Sequence, residues 1–95
     1  MKLVADIGGT NSRLAIVREN GPDINTIRSF RNSEFGRFDD ILETYLSEFN
    51  DRQPAHMVIA VAGPVRGNKA HLTNLDWEFS GQKLAQRFRS SEVEI

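Results

Sequence analysis

Leu3-Val4-Ala5-Asp6-Ile7-Gly8-Gly9-Thr10-Asn11-Ser12-Arg13-Leu14-Ala15-Ile16-Val17 reads as two strands joined by a turn. Leu3 to Ile7 is a mostly apolar run, the pattern of a strand buried on both faces. Gly8-Gly9-Thr10-Asn11 breaks that run with turn chemistry, and Arg13 to Val17 resumes it as a second strand. The gap is too short for a crossover helix, so the two strands are predicted to form an antiparallel hairpin. Paired glycines permit positive φ and remove side chains that would hold an anion away from the backbone. Successive N–H groups in such a turn make an anion-binding concavity. Thr10 and Asn11 add side-chain donors, and Asp6 at the strand end is a hard oxygen group suited to Mg²⁺, directly or through a coordinated water. Phosphoryl transfer needs these parts: a cradle, a bridging metal and fixed positioning. On the residues alone, a plain hairpin turn stands as the alternative, because Gly-Gly-Thr-Asn turns tightly without any ligand. The chain has neither G-x-x-x-x-G-K-[ST] nor G-x-G-x-x-G, and the latter would need a helix where this turn leads into a strand.

Working outward, Ile24 to Phe30 is predicted as a third strand. Phe35, Phe38, Ile41, Leu42, Tyr45, Leu46 and Phe49 recur at spacings of three and four and predict one helix. Asn32 or Ser33 would cap its start, Glu34 would favour its N-terminal dipole, and Asn50-Asp51 with Gln53-Pro54 would end it. Asp39, Asp40, Glu43 and Glu48 read as its solvated face. Met57 to Ala62 is a second buried-type strand, stopped by Gly63-Pro64. A hairpin follows around Arg66-Gly67-Asn68, then a loop over Thr73 to Trp77. Ser80 would cap a short helix with Leu84, Ala85 and Phe88 inward, and Val93-Glu94-Ile95 begins another strand. Antiparallel strands followed by a helical crossover imply an α/β fold with a mixed sheet and flanking helices. Met57–Ala62 should then run parallel to Leu3–Ile7, bringing Asp6-Ile7-Gly8-Gly9 and Ala62-Gly63-Pro64 to one edge, where open sheets bind ligands.

The chain has 95 residues, which sets one small domain as the expectation. Charged residues at 26% and hydrophobic ones at 39% describe a folded, soluble domain. A formal net charge of -1 offers no electrostatic attraction to nucleic acid or an anionic membrane. With no cysteine, disulfides and thiolate metal sites are excluded. No apolar run approaches the roughly 20 residues of a membrane span, and Met1 to Asp6 is unlike a signal peptide; the expectation is a cytoplasmic protein.

Asp-x-Gly-Gly-Thr-x-x-Arg at Asp6 to Arg13, directly after an N-terminal strand, resembles the first phosphate motif of bacterial glucokinases and related sugar kinases. Ile59-Ala60-Val61-Ala62-Gly63-Pro64-Val65 resembles that family's next core strand and Gly-Pro turn. Leu72-Thr73-Asn74-Leu75-Asp76-Trp77-Glu78-Phe79-Ser80 resembles its Thr-Asn-x-x-Trp-x-Phe-Ser segment. The three motifs keep their order across nearly the whole chain. The resemblance implies the ribonuclease-H-like fold of the actin–hexokinase superfamily, with residues 1–95 as the N-terminal small domain, incomplete here, and a larger second domain beyond it. It implies ATP and Mg²⁺ as cofactors and phosphorylation of glucose to glucose 6-phosphate by the complete protein. Asp6 would serve the metal and phosphates, and Gly8, Gly9, Thr10 and Asn11 the ATP phosphates. Gly63 and Asn74 would lie at the sugar cleft, Asn74 alternatively holding its own loop. Arg13 is open between a phosphate contact and an ion pair, and Trp77 and Phe79 would be core anchors. His56 and His71 would be structural or exposed.

The family's catalytic Asp follows the strand that Val93 begins, so the 95-residue chain alone is expected to be inactive, with no catalytic residue of its own. Relatives commonly form homodimers through the second domain. A kinase for another hexose or amino sugar, and a non-catalytic sugar-sensing module, are the alternative functions.

Overall fold

The computed structural model describes residues 1–49 and 54–95. Its centre is β1 (Lys2–Ile7), flanked on one side by β2 (Asn11–Arg18) and on the other by β5 (His56–Val61). β1 and β2 are antiparallel, with Ile7 opposite Ser12 and Leu3 opposite Ile16, as the short Gly-Gly turn requires. β5 is parallel to β1, Ile7 aligning with Val61, so both strands end at one edge as expected. The short β3 (Gly21–Pro22) and β4 (Arg28–Arg31) both pair with β2, and β9 (Glu92–Glu94) extends the sheet beyond β5 in parallel. A separate three-stranded meander holds β6 (Val65–Arg66), β7 (Lys69–Leu72) and β8 (Trp77–Ser80).

Both helices, α1 (Phe38–Glu48) and α2 (Gly81–Phe88), pack on the same core. Leu3, Ala5 and Ile7 of β1, Leu14 and Ile16 of β2 and Met57 and Ile59 of β5 alternate inward against Ile41, Leu42 and Tyr45 of α1 and Leu84 and Phe88 of α2. Trp77 and Phe79 are buried in the same cluster, as predicted for core anchors. The other face of the sheet carries Lys2, Val4, Asp6, Arg13, Val58 and Ala60. β1 is therefore buried on one face only, a correction to the two-sided burial expected of an apolar run. The run was mostly apolar because Val4 lies half-buried on that second face.

Three element boundaries differ from the sequence reading. Ile24–Thr26 is a single 3₁₀ turn, and only residues 28–31 form strand. The cause is Asp23, whose side chain accepts from the N–H of Asn25 at 3.0 Å while Thr26 donates its hydroxyl to the Asp23 carbonyl at 2.6 Å. Such local bonds offer the backbone an alternative to a ladder. Next, α1 begins at Phe38, after a second 3₁₀ turn at Asn32–Glu34, and has no side-chain cap. Asn32 and Ser33 are not its cap, and Phe35 lies outside the helix, its ring 5.7 Å from Phe30. Finally, Trp77 opens a strand and is not part of a loop. The expected end of α1 at residues 50–53 lies outside the described residues. Two expectations are met: Ser80 caps α2, accepting from the Lys83 N–H at 3.2 Å, and the two-residue turn Gly67-Asn68, both at positive φ, closes the β6–β7 hairpin.

The face of α1 toward solvent is more engaged than its carboxylates suggested. Arg87 of α2 pairs with Glu43 and, at 3.2 Å, with Asp39, and Arg28 meets Glu48 at 2.6 Å. Tyr45 is buried and donates its hydroxyl to the Thr26 carbonyl at 2.7 Å. Burial raises its pKa above the ordinary tyrosine value. Tyr45→Phe should cost about 1 kcal/mol, the usual net worth of one hydrogen bond. A raised folded-state pKa means that stability is full below the unfolded value of about 10 and falls as pH rises through the folded one. Chemical denaturation between pH 8 and pH 11 (roughly spanning that value) should therefore show a loss in the native chain that Tyr45→Phe lacks. Among the described residues, no helix is long and apolar enough to cross a membrane.

Candidate phosphate-binding site

The turn between β1 and β2 is closed by the Gly8 N–H donating to the Asn11 carbonyl at 2.9 Å. Its three following carbonyls are all held. The Gly8 carbonyl accepts from the Asn32 side-chain amide at 2.8 Å, that of Gly9 from the Asn74 side-chain amide at 2.9 Å, and that of Thr10 from the Asn32 main-chain N–H at 2.8 Å. No acceptor among the described residues takes the N–H groups of Gly9 and Thr10. A turn with engaged carbonyls and unengaged N–H groups presents positive partial charge to solvent, which is what an anion-binding concavity requires. Thr10 and Asn11 are exposed beside it.

The conformational reason given for the paired glycines is corrected. Neither Gly8 nor Gly9 has positive φ; that conformation falls at Gly21 and Gly67. A Cβ on Gly8 would come no closer than 3.4 Å to the Asn11 carbonyl oxygen, and one on Gly9 no closer than 3.4 Å to the Asn74 amide nitrogen. The chain itself would admit both. What glycine provides here is bare backbone toward solvent.

Asp6 sits at the end of β1 on the uncovered face, opposite Arg13 of β2. Arg13 is exposed and forms no ion pair among the described residues, so the ion-pair alternative has no support there. The same residues contain no cluster of three or more His, Asp or Glu able to cage a metal. One strand-end carboxylate beside an anion-binding turn fits Mg²⁺, which takes one or two carboxylates and completes its shell with phosphate oxygens and water.

The Ala62 N–H donates to the Ile7 carbonyl at 2.9 Å, which fixes the start of the Gly63-Pro64 turn beside the end of β1. Gly63 has a structural reason of its own: a Cβ there would stand 2.7 Å from the His71 carbonyl oxygen. Asn74 lies in the turn between β7 and β8, closed by the Asp76 N–H to Thr73 at 3.2 Å, and it reaches across to Gly9. The structure thus gathers Asp6, Gly8, Gly9, Thr10, Asn11, Gly63 and Asn74 at one end of the sheet. His56 and His71 are exposed, the latter 2.9 Å from Asp76, as expected of residues outside the site. A cleft of about 730 Å³ between the start of α1 and the meander is lined by none of the residues Gly8 to Asn11.

Sequence reasoning missed Asn32, which it assigned to a helix cap, and Asn68. The Asn68 side chain donates to the Val93 carbonyl at 2.9 Å and accepts from the Ile95 N–H at 2.8 Å. No local pattern marks either residue, since their partners lie more than twenty positions away.

A family model described as Glucokinase matches residues 3–95. The chain is 40% identical over 95 residues to a glucokinase of Caulobacter vibrioides, covering 96% of this chain and 29% of that protein. It is 38% identical over 89 residues to a glucokinase of Saccharophagus degradans, covering 90% of this chain and 28% of that one. The crystal structure of glucokinase from an Antarctic psychrotroph superposes with a TM-score of 0.83 at 35% identity, over 98% of this chain and 30% of that one. The chain therefore spans under a third of the length of the relatives it matches.

Proposed function

This chain belongs to the glucokinase family, and on that premise we propose that the protein in which it works transfers the γ-phosphoryl group of ATP to glucose, giving glucose 6-phosphate. The observation that carries the proposal is the turn at Gly8–Asn11, whose carbonyls are engaged by Asn32 and Asn74 while no acceptor among the described residues takes the Gly9 and Thr10 N–H groups. Those N–H groups, with the Thr10 and Asn11 side chains, bind phosphate oxygens. Asp6 holds Mg²⁺, directly or through water; when bound, that ion neutralises phosphate charge. Gly63 and Asn74 border the sugar side of the same edge. The role of the chain is positioning and charge stabilisation, the main protein contributions to phosphoryl transfer.

Topology supports a base from beyond these residues. β9 runs parallel to β5, with Glu94 aligned to Val58, and β5 still has three residues to run before the ligand edge at Val61. A continuation of β9 in the same register would deliver the residues shortly after Ile95 to that edge. A second domain closing there would add the adenosine pocket and most sugar contacts while excluding water.

The test is a coupled assay on the product of the complete coding sequence. Mg²⁺-dependent ADP formation on adding glucose is expected, with none from the 95-residue chain alone. ADP formation with another hexose or an amino sugar and not with glucose would move the substrate. Glucose binding with no nucleotide binding would replace the kinase with a sugar sensor.

A further inference from the structure

We propose that Asn32 is a positioning residue of the phosphate turn, holding the turn's carbonyls inward so that its N–H groups stay directed at the anion. The inference rests on the reading of Gly8–Asn11 as the phosphate site. Asn32 is 0% exposed and directs its side-chain amide, its side-chain oxygen and its main-chain N–H at the turn, while its main-chain carbonyl accepts the Phe35 N–H at 3.0 Å. Its amide donates to the Gly8 carbonyl at 2.8 Å, its side-chain oxygen accepts the Ser12 hydroxyl at 2.5 Å, and its main-chain N–H donates to the Thr10 carbonyl at 2.8 Å. Ser12, also 0% exposed, is the first core-facing residue of β2. One buried side chain therefore bridges both ends of a turn that it follows by some twenty residues.

The energetics favour a unique loop geometry. An amide buried this deeply is costly unless each polar atom is paired, and here each one is. A rotation of the Gly8 peptide that turned its carbonyl outward would orphan the Asn32 amide and present an oxygen to the phosphates. In the arrangement found, that rotation is opposed from within by Asn32, and at Gly9 it is opposed from outside by Asn74. Preorganised donors act on charge without reorganisation at the moment of reaction.

The test uses Asn32→Ala and Asn32→Ser in the product of the complete coding sequence. Both keep the main-chain bond to Thr10 and lose the amide to Gly8. The KM for ATP should rise about 10-fold, the equivalent of one hydrogen bond's worth of positioning, while the KM for glucose stays within about two-fold. Tyr45→Phe, destabilised away from the turn, should lower the thermal midpoint with both KM values unmoved. Asn32 variants that lose midpoint like Tyr45→Phe and keep the native KM for ATP would overturn the inference.

Gly9→Val separates the two readings. If it raises the KM for ATP while the Asn32 variants do not, the inference alone falls. If it leaves that KM untouched, the turn is not the phosphate site and both readings fall. Should the Asn32 variants fail to fold, the native protein decides: saturating ADP with Mg²⁺ should shift the Asn32 side-chain amide resonances where glucose alone does not, and an absent shift would overturn the inference.

Discussion

Replacing Gly9 by valine should raise the KM for ATP at least about 100-fold, as expected when preorganised backbone donors are lost to a charged group. The thermal midpoint should move little. Gly9 is exposed and not at positive φ, and the first carbon of a side chain would rest 3.4 Å from the Asn74 amide, an ordinary contact. The fold can carry that carbon. Two further methyl groups would crowd Asn74 off the Gly9 carbonyl and stand beside the unengaged N–H groups of Gly9 and Thr10. Steady-state kinetics on the full protein, paired with a melting curve, checks both halves. A native KM for ATP would mean that the turn is only a turn.

Gly81→Ala is expected to destabilise the fold by about 1–3 kcal/mol, the usual cost of overpacking. Helix propensity argues for the opposite sign, because alanine is ordinarily the better helix former. Here Gly81 is the first residue of α2, and its own N–H donates to the Asn68 carbonyl at 3.0 Å. A Cβ would lie 2.6 Å from the Val93 carbonyl oxygen and would collide with the Asn68 side-chain amide. Relief requires Asn68 to leave Val93 and Ile95, loosening the junction of meander, helix and β9. Denaturant titration of the two proteins gives the sign directly; a stabilised Gly81→Ala protein would show that propensity outweighs the junction. On the proposed function, in which the base follows β9, the same substitution should also lower kcat.

The spacing of apolar residues made much of the architecture legible. The stripe from Phe38 to Leu46 reports the buried face of α1 by its period, and the apolar runs from Leu3 and from Met57 report strands, although each of those strands buries one face where two were expected. The hairpin at Gly8–Asn11 and the parallel return of β5 followed from connection lengths alone. Asp6 and the glycines of the candidate site stand out in the sequence as a motif.

The rest depended on contacts between distant residues. The 3₁₀ turn that Asp23 starts locally is tied to the sheet by Thr26, whose buried hydroxyl accepts the Ile16 N–H at 2.9 Å. Asn32, an acceptable helix cap by local chemistry, is held under the Gly8–Asn11 turn by Gly8 and Ser12, and α1 starts six residues later. Gly63 and Gly81 are needed for close approaches to His71 and to Val93. By itself, the sequence determined the hairpin at Gly8–Asn11, the two helices and the parallel return of β5, because periodicity and connection length are local properties. Only the tertiary structure decided which polar side chains hold the turn open to an anion, because a buried amide takes whichever partners the packed chain brings within 3 Å (about the length of one hydrogen bond).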